Sequence, residues 1–416
     1  MSNGTSSPAG IRQRARPPPI RAQTNSASSS SFGDHSSNAG MMRATTEGWL
    51  ELFLKTPEKF TFAQWKEEIL DKSLTHNLLH PIFDYLSTLI PETVAPNVVS
   101  LFGLFALCHA WYMTHLYADY YPTACTWLAV VSILLFFVTS SIGNYHADRI
   151  RQRTALGELF KYTCDAGATV FLSILTTYCL GGTQVETQWY AVQIAQLVLF
   201  LKHLSAFHRN AGLRYNVLTG PGEVILIAVS LLAVRATVGL DFLLELYEAT
   251  VYRFLTSTPA LQEHEPLEKY RRDPTQIGSE AVMYSYYAIY LVAVTKSLLL
   301  KSPHGWSRFG LSASLLMRFL PALLFQLGFS QQVSVADVIC DGIFMAVLTS
   351  DVTLSKMAGR ELHPWVVLMS MATVLSHTTI IALSMFYYVG VFADLCSYLN
   401  MPLLTTCRNV SLAYLT

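Results

Sequence analysis

Two clusters of polar side chains interrupt an otherwise apolar sequence. The first runs Ser140-Ser141-Ile142-Gly143-Asn144-Tyr145-His146-Ala147-Asp148-Arg149 and resumes at Leu156-Gly157-Glu158-Leu159-Phe160-Lys161-Tyr162-Thr163-Cys164-Asp165. Lys161 and Asp165 are four apart and share a helix face, as do Asn144 and Asp148 if their helix runs that far. Carboxylates, an amide, the His146 imidazole and arginines at two neighbouring helix ends could bind a phosphate-bearing ligand. Spacing alone fits a solvated loop with a Lys161–Asp165 ion pair better. The second cluster is Asp337, Asp341 and Asp351, followed by Lys356, Glu361 and His363. Asp337 and Asp341 lie on one face and could line an ion path; Asp341 is deep enough to need a partner. Glu223, Arg235 and Arg318 stand alone. Ionisable groups within a membrane are functional candidates by default, although most pair with a neighbour or snorkel.

The elements that must position these groups are membrane helices. The 416-residue chain is 52% hydrophobic and 13% charged, about half the charge of a soluble domain. Its formal net charge is zero, so nothing points to nucleic acid. About 20 apolar residues cross a bilayer. Runs of that kind fall near 97–117, 122–142, 164–182, 187–206, 222–240, 279–300, 309–329 and 335–355, and the stretch 364–404 divides near His377 into a short ninth helix and a tenth near 379–400. Lys and Arg concentrate before the first span and after the second, fourth, sixth and eighth, which places those loops and the N-terminus in the cytosol. The seven cysteines show no CxxC spacing and read as free thiols. The expected fold class is all-α: a polytopic transmembrane helical bundle of about ten spans with N-terminal amphipathic helices. Residues 1–45 read as a disordered Ser/Pro-rich tail. Residues 46–95 read as amphipathic helices that either lie in the membrane interface or cap the bundle. Residues 96–404 form the transmembrane domain and 405–416 a short tail.

The first cluster resembles the CDP-alcohol phosphotransferase signature, D-x2-D-G-x2-A-R-x8-G-x3-D-x3-D, in the form found in choline/ethanolamine phosphotransferases, where LGELF is followed by DHGCD. Here Leu156–Phe160 and Cys164-Asp165 carry the match. Ala95-Pro96-Asn97, His203, Leu213-Arg214, Glu223 and Lys356-Met357 to Glu361-Leu362-His363 are similar to further family stretches, so the resemblance covers roughly residues 75–405. It implies ten helices with cytosolic termini, a metal-dependent transfer of phosphoethanolamine or phosphocholine from CDP-ethanolamine or CDP-choline to a lipid acceptor with release of CMP, an endoplasmic reticulum or Golgi membrane, and a homodimer.

The departures from that signature bear on the chemistry. Counted back from Gly157, the two leading Asp positions fall on Ser140 and Gly143, the Gly on Asn144, the Arg on Asp148 with Arg149 beside it, and the third Asp on Lys161; only the fourth is kept, as Asp165. The family's aspartates hold two divalent metals and supply a general base. Mg or Mn wants oxygen ligands, several of them anionic. The resemblance then leaves Asp165 and Asp148 as metal candidates, with Lys161 standing in for one cation. Asn144, Arg149, Gly157 and Lys161 would hold the nucleotide, and Asp165 or His146 would act as base, with Glu361 and His363 as rivals. An altered transferase and a non-catalytic relative that binds lipid or regulates an active enzyme both fit this pattern.

Overall fold

The computed structural model describes residues 53–66, 70–209, 212–215, 217, 220–247, 249–250, 253, 257, 274–299, 310–316, 319, 323, 327–328, 333–362 and 377–406. The expected N-terminal tail, the ninth helix with His363, Arg318, most of the expected seventh span and residues 407–416 lie outside these. Two short helices come first, α1 (Thr56–Ala63) and α2 (Leu74–Thr88). The bundle follows: α3 (Pro96–Tyr117), α4 (Pro122–Arg149), α5 (Ala155–Cys179), α6 (Val185–Arg209), α7 (Pro221–Val238), the short α8 (Leu240–Tyr247), α9 (Pro274–Leu298), α10 (Val335–Ala358) and α11 (His377–Leu399). The only strands among the described residues are β1 (Leu70–Asp71) and β2 (Arg214–Tyr215), a two-residue parallel pair.

Five of the described helices, α3, α4, α6, α7 and α11, are long and apolar enough to cross a membrane. α5 and α10 match them in length, with 25 and 24 residues, but carry Glu158, Lys161 and Asp165, and Asp337, Asp341, Asp351 and Lys356. They are the inner helices. α10 is buried on nearly every face, packing Val338, Phe344, Leu348, Val352 and Met357 into one core with α5, α6 and α11 residues. A helix buried on nearly every face needs apolar neighbours for most of its side chains and partners for its acids.

Local chemistry fixes the helix ends. Proline occupies the first turn of α3, α4 and α7, where its missing N–H costs nothing. Thr154 caps α5, its hydroxyl accepting from the Gly157 N–H at 3.1 Å. Ser334 and Asp337 form a reciprocal capping box on α10. α3 and α4 make a close antiparallel pair at Gly103, where a Cβ would lie 2.3 Å from Thr139 Oγ1 and 3.2 Å from the Phe136 backbone. A small residue there lets the backbones approach.

The bundle departs from the sequence reading in one instructive way. The second span was expected to stop at 142 and the third to start at 164, with a polar loop between. Instead α4 continues to Arg149 and α5 begins at Ala155. At 1.5 Å per residue the 28 residues of α4 reach ~42 Å, past the ~30 Å hydrocarbon layer. Hydropathy marks where a helix meets lipid, not where its hydrogen bonds end. The residues expected to do chemistry are therefore on rigid helix tips.

Of the N-terminal segment, the two helices behave differently. α2 presents Leu74, Leu78, Ile82, Tyr85 and Leu89 outward, one stripe at helical spacing of the kind an interfacial helix offers. Its inner face seats Phe83 on Phe137, rings 5.6 Å apart. The buried Glu223 of α7 accepts from the Thr75 N–H at 2.9 Å and its hydroxyl at 3.0 Å, a carboxylate against the first turn of α2. α1, by contrast, is packed on the bundle through Phe53, Leu54 and Phe62.

Candidate functional site

The N-terminal ends of α3 and α5 and the C-terminal ends of α4 and α11 surround a cavity of about 740 Å³ at one end of the bundle. Its walls are Ala95, Pro96, Asn97 and Ser100 from α3, Gly143, Asn144 and Ala147 from α4, the connector from Ile150 to Thr154, Leu156, Gly157, Glu158 and Lys161 from α5, and the turn from Leu399 to Leu403 with Thr405. Asn97 ties the first wall to the last, its amide donating to the Leu403 carbonyl at 2.8 Å. The first turn of α5 points its partial positive charge at this space.

The charges of the site are unevenly committed. Arg153 donates from Nε to Glu158 at 2.7 Å and from Nη1 to Asp148 at 3.0 Å. Burial works against the Arg153 charge, but Glu158 and Asp148 more than offset it and raise its pKa above the usual arginine value. Glu158 is buried, and its second oxygen, Oε2, has no partner. Lys161 lines the cavity half-buried, and no hydrogen bond or ion pair joins it to any described residue. The expected Lys161–Asp165 contact is thus only a through-space attraction.

Arg151 has the unusual backbone. It sits at φ 56°, just past the end of α4. The Gln152 N–H closes on the Ala147 carbonyl at 2.9 Å and the Arg151 N–H on Asp148 at 3.2 Å, the hydrogen-bond pair of a Schellman turn. Glycine is the usual residue at that position, because a Cβ in the left-handed region costs about 1 kcal/mol or more. The arginine side chain lies exposed on the cavity wall and makes no hydrogen bond or ion pair to a described residue. Asn400, at φ 51°, also ends its helix, α11, in the left-handed region, with the Met401 N–H closing on the Cys396 carbonyl at 3.2 Å.

The other sequence candidates divide. Asn144, Gly157 and Lys161 line the cavity. Asp165 lies one turn of α5 beyond Lys161, where the Ser140 hydroxyl donates to its Oδ1 at 3.0 Å. Asp148 is at the opposite rim, eight residues along α4 from Ser140, or ~12 Å of helix rise. Asp165 and Asp148 therefore do not converge on one ion, and among the described residues no group of three or more His, Cys, Asp and Glu could hold a metal. His146 is buried outside the cavity wall. Its Nε2 faces the Val94 carbonyl at 2.8 Å, an acceptor only, so Nε2 carries the proton; Nδ1 then accepts from Arg149 at 3.2 Å. Arg149 also donates to the Ile90 carbonyl. Both residues pin the chain ahead of α3, and no imidazole lone pair is left over. Glu361 does not line the cavity; its carbonyl accepts from Ser355 at 3.3 Å. Arg153, Arg151 and Glu158 were not singled out from the sequence as site residues. The signal available for the last was its place beside Gly157 in the first turn after a threonine cap.

The three aspartates of the second polar cluster are all engaged. Asp337 caps α10 and meets His377 at 2.5 Å. Asp341 accepts from the Trp189 indole at 2.8 Å. Asp351, fully buried, accepts from Arg360 and from the Tyr387 hydroxyl, each at 2.7 Å. An ion path would need carboxylates free to bind and release a cation, and none of these three is.

An all-α bundle with five long apolar helices among the described residues defines an integral membrane protein. No family model matches the chain, but curated sequences do. It is 28% identical over 200 residues to cholinephosphotransferase 1 of Danio rerio, covering 45% of this chain and 51% of that protein. It is 27% identical over 140 residues to ethanolaminephosphotransferase 1 of Mus musculus, covering 30% and 35%. An uncharacterized CDP-alcohol phosphatidyltransferase class-I family protein of Dictyostelium discoideum is 27% identical over 132 residues, 29% and 35%. The chain spans about half the length, or less, of the curated relatives it matches. Its homologues are thus members of the CDP-alcohol phosphatidyltransferase family, choline- and ethanolaminephosphotransferases among them.

Proposed function

We propose that this chain works in phospholipid synthesis by taking CDP-ethanolamine or CDP-choline into the cavity and moving the phosphoalcohol to a lipid hydroxyl, of diacylglycerol or a ceramide-like lipid. The observation that carries this reading is the uncommitted Lys161 on the cavity wall, one turn from Asp165, on the helix tip that bears the stretch resembling the family signature. A CDP-alcohol also matches the rest of the wall: its diphosphate suits the cations and the α5 N-terminus, and its ribose hydroxyls or cytosine amine suit the unpartnered Glu158 Oε2. In the transfer, the acceptor oxygen bonds to the phosphorus that carries the alcohol. The bond from that phosphorus to the bridging oxygen breaks, CMP leaves with the electron pair, and the acceptor proton passes by way of a water to Asp165, one turn of α5 behind the cavity wall, where Ser140 orients it. Lys161 and Arg151 stabilise charge on the diphosphate as the bond breaks. In this reading the protein lies in the endoplasmic reticulum or Golgi membrane, with the cavity and N-terminus facing the cytosol.

The test is purified protein in detergent with radiolabelled CDP-ethanolamine or CDP-choline and a lipid mixture, assayed with Mg²⁺, with Mn²⁺ and with chelator. Labelled lipid and released CMP are expected; their absence beside an active relative rejects transfer. A second reading, a non-catalytic CDP-alcohol binder that regulates an active relative, is favoured by the Ser140–Asp165 hydrogen bond and by the separation of Asp148 from Asp165. It requires nucleotide binding without turnover, and Asp165→Asn without effect in cells.

A further inference from the structure

The donor set around the cavity does not fit a divalent ion. A hard cation needs several oxygen ligands, most of them anionic. Here Asp148 and the Oε1 of Glu158 are taken by Arg153, and Asp165 is held by Ser140 beyond the cavity wall. What the wall offers instead is positive charge of its own. Arg151, Arg153 and Lys161 face one carboxylate, Glu158. With Arg153 committed to the acids, Arg151 and Lys161 are left without partners, and together they carry the charge of one divalent ion. Arg151 also occupies a left-handed position that glycine would fill without strain. A non-glycine residue kept in such a conformation on a cavity wall points to a use for its side chain.

Building on the CDP-alcohol reading above, we infer that the cavity grips a diphosphate directly, through Lys161 and Arg151 with the first turn of α5, and with no divalent metal between protein and ligand. A diphosphate diester has two negative charges, which these two cations balance. Arginine can fork across two phosphate oxygens while lysine acts as a point charge. Free Mg²⁺ then competes with the protein for the ligand instead of bridging to it.

The experiment is a titration of the full chain in detergent with CDP-ethanolamine and, separately, with inorganic pyrophosphate, each in EDTA and in Mg²⁺, read by calorimetry. Both probes are expected to bind in EDTA, at least as tightly as with Mg²⁺, and to weaken as salt is raised. Lys161→Met and Arg151→Gly are each expected to weaken binding about tenfold, ~1.4 kcal/mol. The melting temperature of Arg151→Gly should be unchanged or higher, so that lost binding is not lost folding. Binding of CDP-ethanolamine only when Mg²⁺ is present overturns the inference and leaves the CDP-alcohol reading standing. Pyrophosphate binding in EDTA without CDP-ethanolamine binding supports the inference and removes that reading. Variants that bind both probes like the parent, or a parent that binds neither, overturn the inference.

Discussion

The cavity and the junction of α1, α10 and α11 use the same kinds of residue in opposite ways. At the junction most of the charge is paired inside the protein, with Arg360 Nε the exception that finds no hydrogen-bond partner. Lys59 meets Asp394 at 2.6 Å, Asp351 takes both Arg360 and Tyr387, and the Lys356 ammonium sits 5.4 Å from the Trp65 ring centroid. Phe53 is wedged against Gly390, where a Cβ would come within 2.3 Å of its Cε2. At the cavity, Arg151 and Lys161 stand without partners and one Glu158 oxygen is unsatisfied. A polar group with all its partners in place holds a fold together. One left open beside empty space is poised to meet a ligand.

Substitutions can break this comparison, the largest effect being expected at the junction. Asp351→Ala strands Arg360 and should cost about 3–5 kcal/mol, read as a collapse of the melting temperature in detergent. Gly390→Ala forces Phe53 aside and should cost about 1–3 kcal/mol. Most of that cost should vanish in a Phe53→Ala background, because the two sites touch. His146→Ala leaves the Val94 carbonyl and Arg149 short of a partner and should cost about 1–3 kcal/mol. His146→Gln, which can donate to one and accept from the other, should cost less and keep ligand binding and any transfer activity. A dead but stably folded His146→Gln enzyme would restore the imidazole as a base. At the cavity the expected stability effects are smallest. Arg151→Gly should gain about 1 kcal/mol by relieving the left-handed strain, and Lys161→Met should shift stability by less than about 0.5 kcal/mol. If Lys161→Met melts as early as Asp351→Ala, the contrast between the two regions is gone.

The sequence placed the helices well wherever lipid dictated composition. α3, α6 and α7 begin and end within a few residues of the apolar runs. It also brought Asn144, Gly157 and Lys161 forward as candidates through the resemblance to the family signature, and all three line the cavity. It misjudged the stretch 143–163 as mostly loop, since helical hydrogen bonding continues through polar residues that hydropathy reads as an interruption. It offered His146 as a base, because an imidazole's availability depends on what its two nitrogens face. The Val94 carbonyl and Arg149 answer that only in three dimensions.

What the sequence alone determined was a membrane bundle, its apolar spans, and a polar rim between the second and third of them that carries Lys161. Those follow from composition and spacing, which act locally along the chain. The division of labour among the charges was decided only by tertiary structure. Lys59 finds Asp394 across more than 300 residues, Asp351 finds Tyr387 across a helix pair, and Arg153 claims Asp148 and Glu158 while leaving Arg151 and Lys161 open. Pairing is a matter of distance in space, and side chains far apart in sequence acquire it only when the helices pack.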